Sequence, residues 1–198
     1  MLELNLKVVG DIANLEIGIV PFPWQQSGES HRVVLERLEQ LDRDPWHRGL
    51  LLCCGDLPAS LAADASLRRL PTLLAAFRRP VVALVDGSVA GVGCSLALSA
   101  DFLLGTLRTR LIPAGLPGSE EQQLAGLLHL PRQLGTQRTC ELLRSGRPLD
   151  AVQAMSLGLL NELTTPKRSR ARADQLVRQL AVDRCHDRQS RLDLLAEA

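Results

Sequence analysis

Gly91, Val92 and Gly93 lie between an apolar β-branched run, Val81 to Val85, and a segment of small and apolar residues that includes Cys94, Ser95, Leu96, Ala97 and Leu98. The pattern reads as a buried strand, a glycine-rich turn and a helix. The first N–H groups of such a helix, around Val92 to Cys94, have no intrahelical acceptor and carry the positive end of its dipole. They can therefore stabilise an oxyanion forming in front of the turn. The other reading is a strand-to-helix turn whose glycines only permit close packing. Farther along, Ser119-Glu120-Glu121-Gln122 has the capping-box spacing, so Glu121 reads as a helix-start carboxylate favoured by the dipole. His31 falls in the first turn of an amphipathic helix and reads as solvated. His129 lies among leucines before Pro131 and reads as a packing or surface residue. Cys53-Cys54 ends an apolar run and reads as core, and Cys185-His186 is a lone pair without metal-ligand spacing.

The elements that must position these groups follow from periodicity. Leu2 to Val9 and Leu15 to Val20 alternate apolar and polar residues and read as strands joined at Gly10-Asp11. His31 to Leu41 puts Val34, Leu35, Leu38 and Leu41 on one helical face, with Ser30 as N-cap. Asp44-Pro45 breaks the chain, and Gly49 to Cys54 is a buried strand. Leu67 to Phe77 reads as a helix interrupted by Pro71. Thr136 to Leu143 and Leu149 to Leu157 read as helices, and Leu159 to Leu163 as a return toward the sheet. A basic amphipathic helix then opens at Thr164-Thr165-Pro166, with Ala171, Leu176, Val177 and Leu180 as its buried face. Residues 1–165 read as the core and 166–198 as a short C-terminal helical segment.

Composition narrows the function classes. With 198 residues and 45% hydrophobic content, one domain with a real core is expected. A net charge of +1 and 3% aromatics, with no Tyr, argue against nucleic acid as a partner. No stretch reaches the length of a membrane span or shows a signal-peptide pattern. Five cysteines, odd in number, fit reduced thiols in a cytoplasm.

The run from Pro80 to Asp101, P-V-V-A-L-V-D-G-S-V-A-G-V-G-C-S-L-A-L-S-A-D, resembles the signature of the enoyl-CoA hydratase/isomerase (crotonase) superfamily, K-P-V-I-A-A-V-N-G-x-A-x-G-G-G-C-E-L-A-x-x-C-D. The likeness continues through Gly135, Ser145-Gly146, Asp150-Ala151 and Ala154 to Leu163. It implies an α/β fold, the ClpP/crotonase spiral of βαβ units. It also implies an acyl thioester ligand, linked to CoA or to a carrier protein, with no permanently bound cofactor and no metal. The family's oxyanion donors map onto Val92, flanked by Gly91 and Gly93, and onto Gly55-Asp56-Leu57, which is either a remnant of the family's A-G-A-D-L or simply a strand end. Val92 stands where the family has its middle glycine, so a β-branched side chain is expected to crowd a passing thioester.

Departures from the family pattern define the rest. Ser95 stands where hydratases carry the glutamate after G-G-G-C. Fourteen positions beyond Asp101, where they carry the second, stands Gly115. Adding water across an enoyl thioester needs an acid and a base on its two faces, and a serine and a glycine cannot supply them. Glu121 falls near the place where some isomerases of the superfamily have a single acidic base. The CoA-contacting N-R-P segment is replaced by Pro21 to Gly28. A Ser-His protease of related fold is disfavoured, because Gly91 occupies the nucleophile position and no histidine follows before His129. The resemblance thus leads to two readings: a divergent enzyme (isomerase, decarboxylase or thioester-cleaving), or a non-catalytic crotonase-fold subunit supporting a partner enzyme. The resemblance also implies self-association, trimer-based, or association with a partner enzyme.

Overall fold

The computed structural model describes residues 2–19, 31–57, 65–113, 130–131 and 133–182. Strands β1 (Leu2–Val9) and β2 (Ile12–Ile19) form an antiparallel hairpin. Helix α1 (His31–Arg43) then leads to β3 (Gly49–Cys54), and α2 (Ala65–Ala75) to β4 (Val81–Val85). After β4 come the short β5 (Ser88–Ala90), α3 (Val92–Leu98), β6 (Phe102–Gly105) and β7 (Arg110–Ile112). The chain continues with α4 (Thr136–Ser145), β8 (Leu149–Asp150), α5 (Ala151–Ser156), β9 (Glu162–Leu163) and α6 (Pro166–Val182).

These strands form two sheets. One has six strands in the order β1-β2-β3-β4-β6-β9, parallel everywhere except β1–β2; the other is β5-β7-β8. Repeated strand–helix–strand crossovers produce the large sheet, as the sequence reading expects. Its central strands are buried on both faces, which is why β3 and β4 read as continuous apolar runs. Leu50, Leu52 and Cys54 of β3 and Val81, Ala83 and Val85 of β4 join the main core, with α1, α2 and α3. Leu51, Val82 and Leu84 point the other way, into a second cluster closed by Ala173, Leu176 and Val177 of α6.

Val34, Leu35, Leu38 and Leu41 of α1 are all buried, as their spacing predicts. Three expectations change. Helix α2 runs through Pro71 without a break, because Leu70, Leu74 and Phe77 are all packed in the core around it. That packing outweighs the roughly 3 kcal/mol a mid-helix proline costs. Leu149–Asp150 is a strand pairing with β7; the helix begins only at Ala151, where Asp150 and Gln153 form a reciprocal capping box. On α6 the buried alanine is Ala173, which shares a face with Leu176 and Val177, while Ala171 is exposed. Among the described residues, no helix is long and apolar enough to cross a membrane, and no cluster of His, Cys, Asp or Glu is arranged to hold a metal.

Candidate active site

Strands β3 and β4 end side by side, and the segments that leave them meet again in the small sheet. Beyond Cys54 the chain passes Gly55 and Asp56, then Leu57 pairs in parallel with Val89 of β5. Leu57 N–H donates to Ser88 O at 2.7 Å, and Ala90 N–H donates to Leu57 O at 2.8 Å. The Asp56 carboxylate accepts the Ser88 N–H at 2.7 Å. Asp56 thus braces the β4–β5 turn through its side chain. Gly55 N–H donates to Ile17 O at 3.2 Å, whereas no acceptor among the described residues meets Asp56 N–H.

Glycine is required at the turn for two different reasons. Gly91 has φ 53° and ψ −120°, a conformation that side chains bearing a Cβ strongly disfavour. Gly93 has no such strain. A Cβ on it would lie 2.8 Å from Leu57 Cβ, so the glycine lets α3 press against the segment leaving β3. Helix α3 is buried along its whole length. Its first intrahelical bond is Ser95 N–H to Gly91 O at 3.0 Å, leaving the N–H groups of Val92 and Gly93 without an acceptor among the described residues. The Val92 side chain is packed in the main core at 6% exposure. The isopropyl group expected to crowd the approach thus packs into the main core. Ser95 is also 6% exposed, and its hydroxyl has no partner among the described residues.

Asp86, at the end of β4, anchors a charged knot that local sequence patterns do not reveal. Arg108 Nε and Nη2 donate to its two carboxylate oxygens at 2.9 and 2.8 Å, and Thr106 Oγ1 donates at 2.7 Å. Thr109 Oγ1 donates to Val85 O at 2.7 Å, tying the β6–β7 turn to β4. The only local hint is Thr106-Leu107-Arg108-Thr109 after a strand, a turn rich in donors. The Arg108 hydrogen bonds hold the Asp86 carboxyl below its ordinary range. A depressed folded-state pKa contributes stability that is present above the unfolded carboxyl's value, near 3.8, and is lost as pH falls through the folded one. The variant Arg108→Gln is therefore expected to be less stable than the parent in urea at pH 7, with the gap closing as pH falls below the unfolded carboxyl's value and through the folded one. A gap of constant size across that range would assign the loss to packing. Nearby thiols are not nucleophiles: burial pushes Cys94 up to about 12 and raises Cys54 as well.

Comparison with known proteins bears on this arrangement. The sequence model for enoyl-CoA hydratase/isomerase matches residues 62–190. The chain belongs to the enoyl-CoA hydratase/isomerase family. It is 30% identical over 115 residues to a trans-2-decenoyl-[acyl-carrier-protein] isomerase of Streptococcus mutans, covering 58% of this chain and 41% of that protein. It is 28% identical over 114 residues to 4-chlorobenzoyl coenzyme A dehalogenase-1 of an Arthrobacter species, with the same coverage. The chain thus spans about two fifths of the length of these curated relatives. A crystal structure of methylmalonyl CoA decarboxylase superposes with a TM-score of 0.77 at 20% identity, covering 99% of this chain and 82% of that one, a likeness in fold. The expected crotonase fold is therefore the observed one.

In this family member, the fold brings Leu57, which follows Gly55 and Asp56, against Gly93 beside Gly91 and Val92, although 36 residues separate Leu57 from Gly93 in sequence. Ser95 sits one helical turn beyond Val92. Glu121, Gly115, His129, the Pro21–Gly28 segment and Cys185-His186 lie outside the described residues, as does the side chain of His31.

Proposed function

We propose that this protein binds an acyl thioester, on CoA or an acyl-carrier protein, with the thioester carbonyl oxygen on the Val92 N–H. The observation that carries the reading is the pair of amides at the start of α3 without an acceptor among the described residues, with the Val92 side chain buried in the main core. Asp56 N–H is the second donor in this reading rather than Gly55 N–H, which is already bonded to Ile17. Two such donors stabilise an enolate or tetrahedral oxyanion without transferring a proton. Ser95 and Gly115 provide no acid–base pair for hydration. The reaction classes that fit are those needing fewer protein carboxylates: isomerisation with Glu121 as a single base, decarboxylation of the bound acyl group, or thioester cleavage. No resident cofactor or metal enters this reading, and the protein works in a reducing compartment such as the cytoplasm, self-associating in a trimer-based assembly.

A panel of acyl-CoA and acyl-carrier thioesters tests the site by calorimetry. At least one thioester is expected to bind, while turnover of crotonyl-CoA to the hydroxyacyl product stays negligible. Robust hydration of crotonyl-CoA would overturn the assignment of Ser95 and Gly115. The engagement of Gly55 N–H and of the Asp56 carboxylate in local braces also favours a second reading, a non-catalytic subunit that supports a partner enzyme. Failure of every thioester to bind the folded parent would give that reading the lead.

A further inference from the structure

A groove of about 300 Å³ lies between α4 and α5, and none of its lining residues belongs to the glycine turn. Its floor is Leu134, Leu142, Leu149 and Leu157, all packed against the main core. That volume is at the lower end of the range for small-molecule sites, and an apolar floor with a few convergent polar groups is their usual make-up. The hydrogen-bonding groups of the rim divide into two sets. Ser145 Oγ donates to Leu142 O at 3.1 Å, and Gln153 Oε1 accepts Asp150 N–H at 3.1 Å, so both serve the local helix ends. Arg138 and Arg147 are exposed and have no ion-pair partner among the described residues. They lie toward opposite ends of the α4 side of the groove. Glu141 is the one acidic group among the lining residues and likewise has no ion-pair partner among the described residues.

A leucine floor with an unpaired guanidinium at either end matches one ligand chemistry: an apolar chain whose terminal carboxylate pairs with one of them. Arginine binds carboxylates through two parallel N–H···O bonds, and each methylene covered by the leucines adds about 0.8 kcal/mol. We propose that the α4–α5 groove is a binding site for a medium-chain carboxylate, separate from the thioester site. Glu141 opposes the bound anion and sets its affinity.

The test uses octanoate as probe, with butyrate, octanol and octylammonium as comparators, on the whole protein followed by amide chemical shifts. Octanoate is expected to shift residues lining the groove, with butyrate, octanol and octylammonium at least tenfold weaker. The single carboxylate pairs with the guanidinium at one end, so one of Arg138→Gln and Arg147→Gln should weaken octanoate about tenfold and the other much less. Glu141→Gln, on the exposed rim, should tighten it severalfold, a gain that a misfolded variant could not produce. Equal affinity for octanol, octylammonium or butyrate would overturn the proposal. So would octanoate shifts confined to residues 91–95, or affinity unchanged in all three variants.

Discussion

Gly93→Ala is expected to lower the urea midpoint by an amount corresponding to about 1–3 kcal/mol, a large share of a typical domain's stability. The new Cβ would lie 2.8 Å from Leu57 Cβ and 3.0 Å from Leu57 Cδ1. A flexible side-chain tip could swing aside, but Leu57 Cβ is attached directly to a backbone held on both sides by hydrogen bonds of 2.7 and 2.8 Å. Relief therefore requires separating the Asp56–Leu57 segment from the turn. Acyl-thioester binding should fall with stability, since the two proposed donors come from those two segments. Gly55→Ala is the matched control: a Cβ there meets nothing within 4 Å, so the midpoint should change by less than about 0.5 kcal/mol. Equal midpoints for the two variants would show that α3 does not press on Leu57.

The second large effect concerns the turn itself. Gly91→Val should abolish acyl-thioester binding, and the backbone supplies the reason. At φ 53° and ψ −120°, a branched residue carries a strain of about 1–3 kcal/mol, so the turn is expected to open and lose the direction of the Val92 N–H. Ser95→Ala leaves the backbone untouched and removes a single neutral hydroxyl, so binding should weaken by about 1 kcal/mol or less. Calorimetry on variants first shown to be folded, by circular dichroism and a cooperative urea transition, reads the ordering. If the Gly91→Val variant is folded and binds as tightly as the parent, the oxyanion role of Val92 is wrong. If Ser95→Ala has the larger effect, the hydroxyl is the principal contact and the amides are secondary.

Together these variants distinguish a site from a packing inheritance. The two glycines look alike in the sequence, yet one is held by its own backbone angles and the other by a neighbour contributed from elsewhere in the chain. Only the first bears on where an amide points. Asp56 shows a similar division, because its carboxylate holds Ser88 while its backbone N–H has no acceptor among the described residues.

Much of the architecture was legible in the linear pattern, because it depends on neighbours in sequence. The run from Pro80 to Asp101 marked strand, turn and helix, and carried the family. The i, i+1, i+4, i+7 spacing of Val34, Leu35, Leu38 and Leu41 marked the buried face of α1, since a helix must put such residues on one side. Continuous apolar runs marked β3 and β4 as strands covered on both faces. Other features depended on residues far apart in sequence. Pro71 stays inside a helix because the core grips its neighbours, and Ala173 rather than Ala171 is buried because the sheet sets the rotation of α6. Arg108 reaches Asp86 across 22 residues, and Leu57 meets Gly93 across 36. The direction of the Val92 side chain, into the core, is likewise a property of how α3 docks. Local periodicity determines which residues share a face, but what that face touches is decided only when distant segments pack together, and the chemistry open to Val92 and Asp56 follows from that packing.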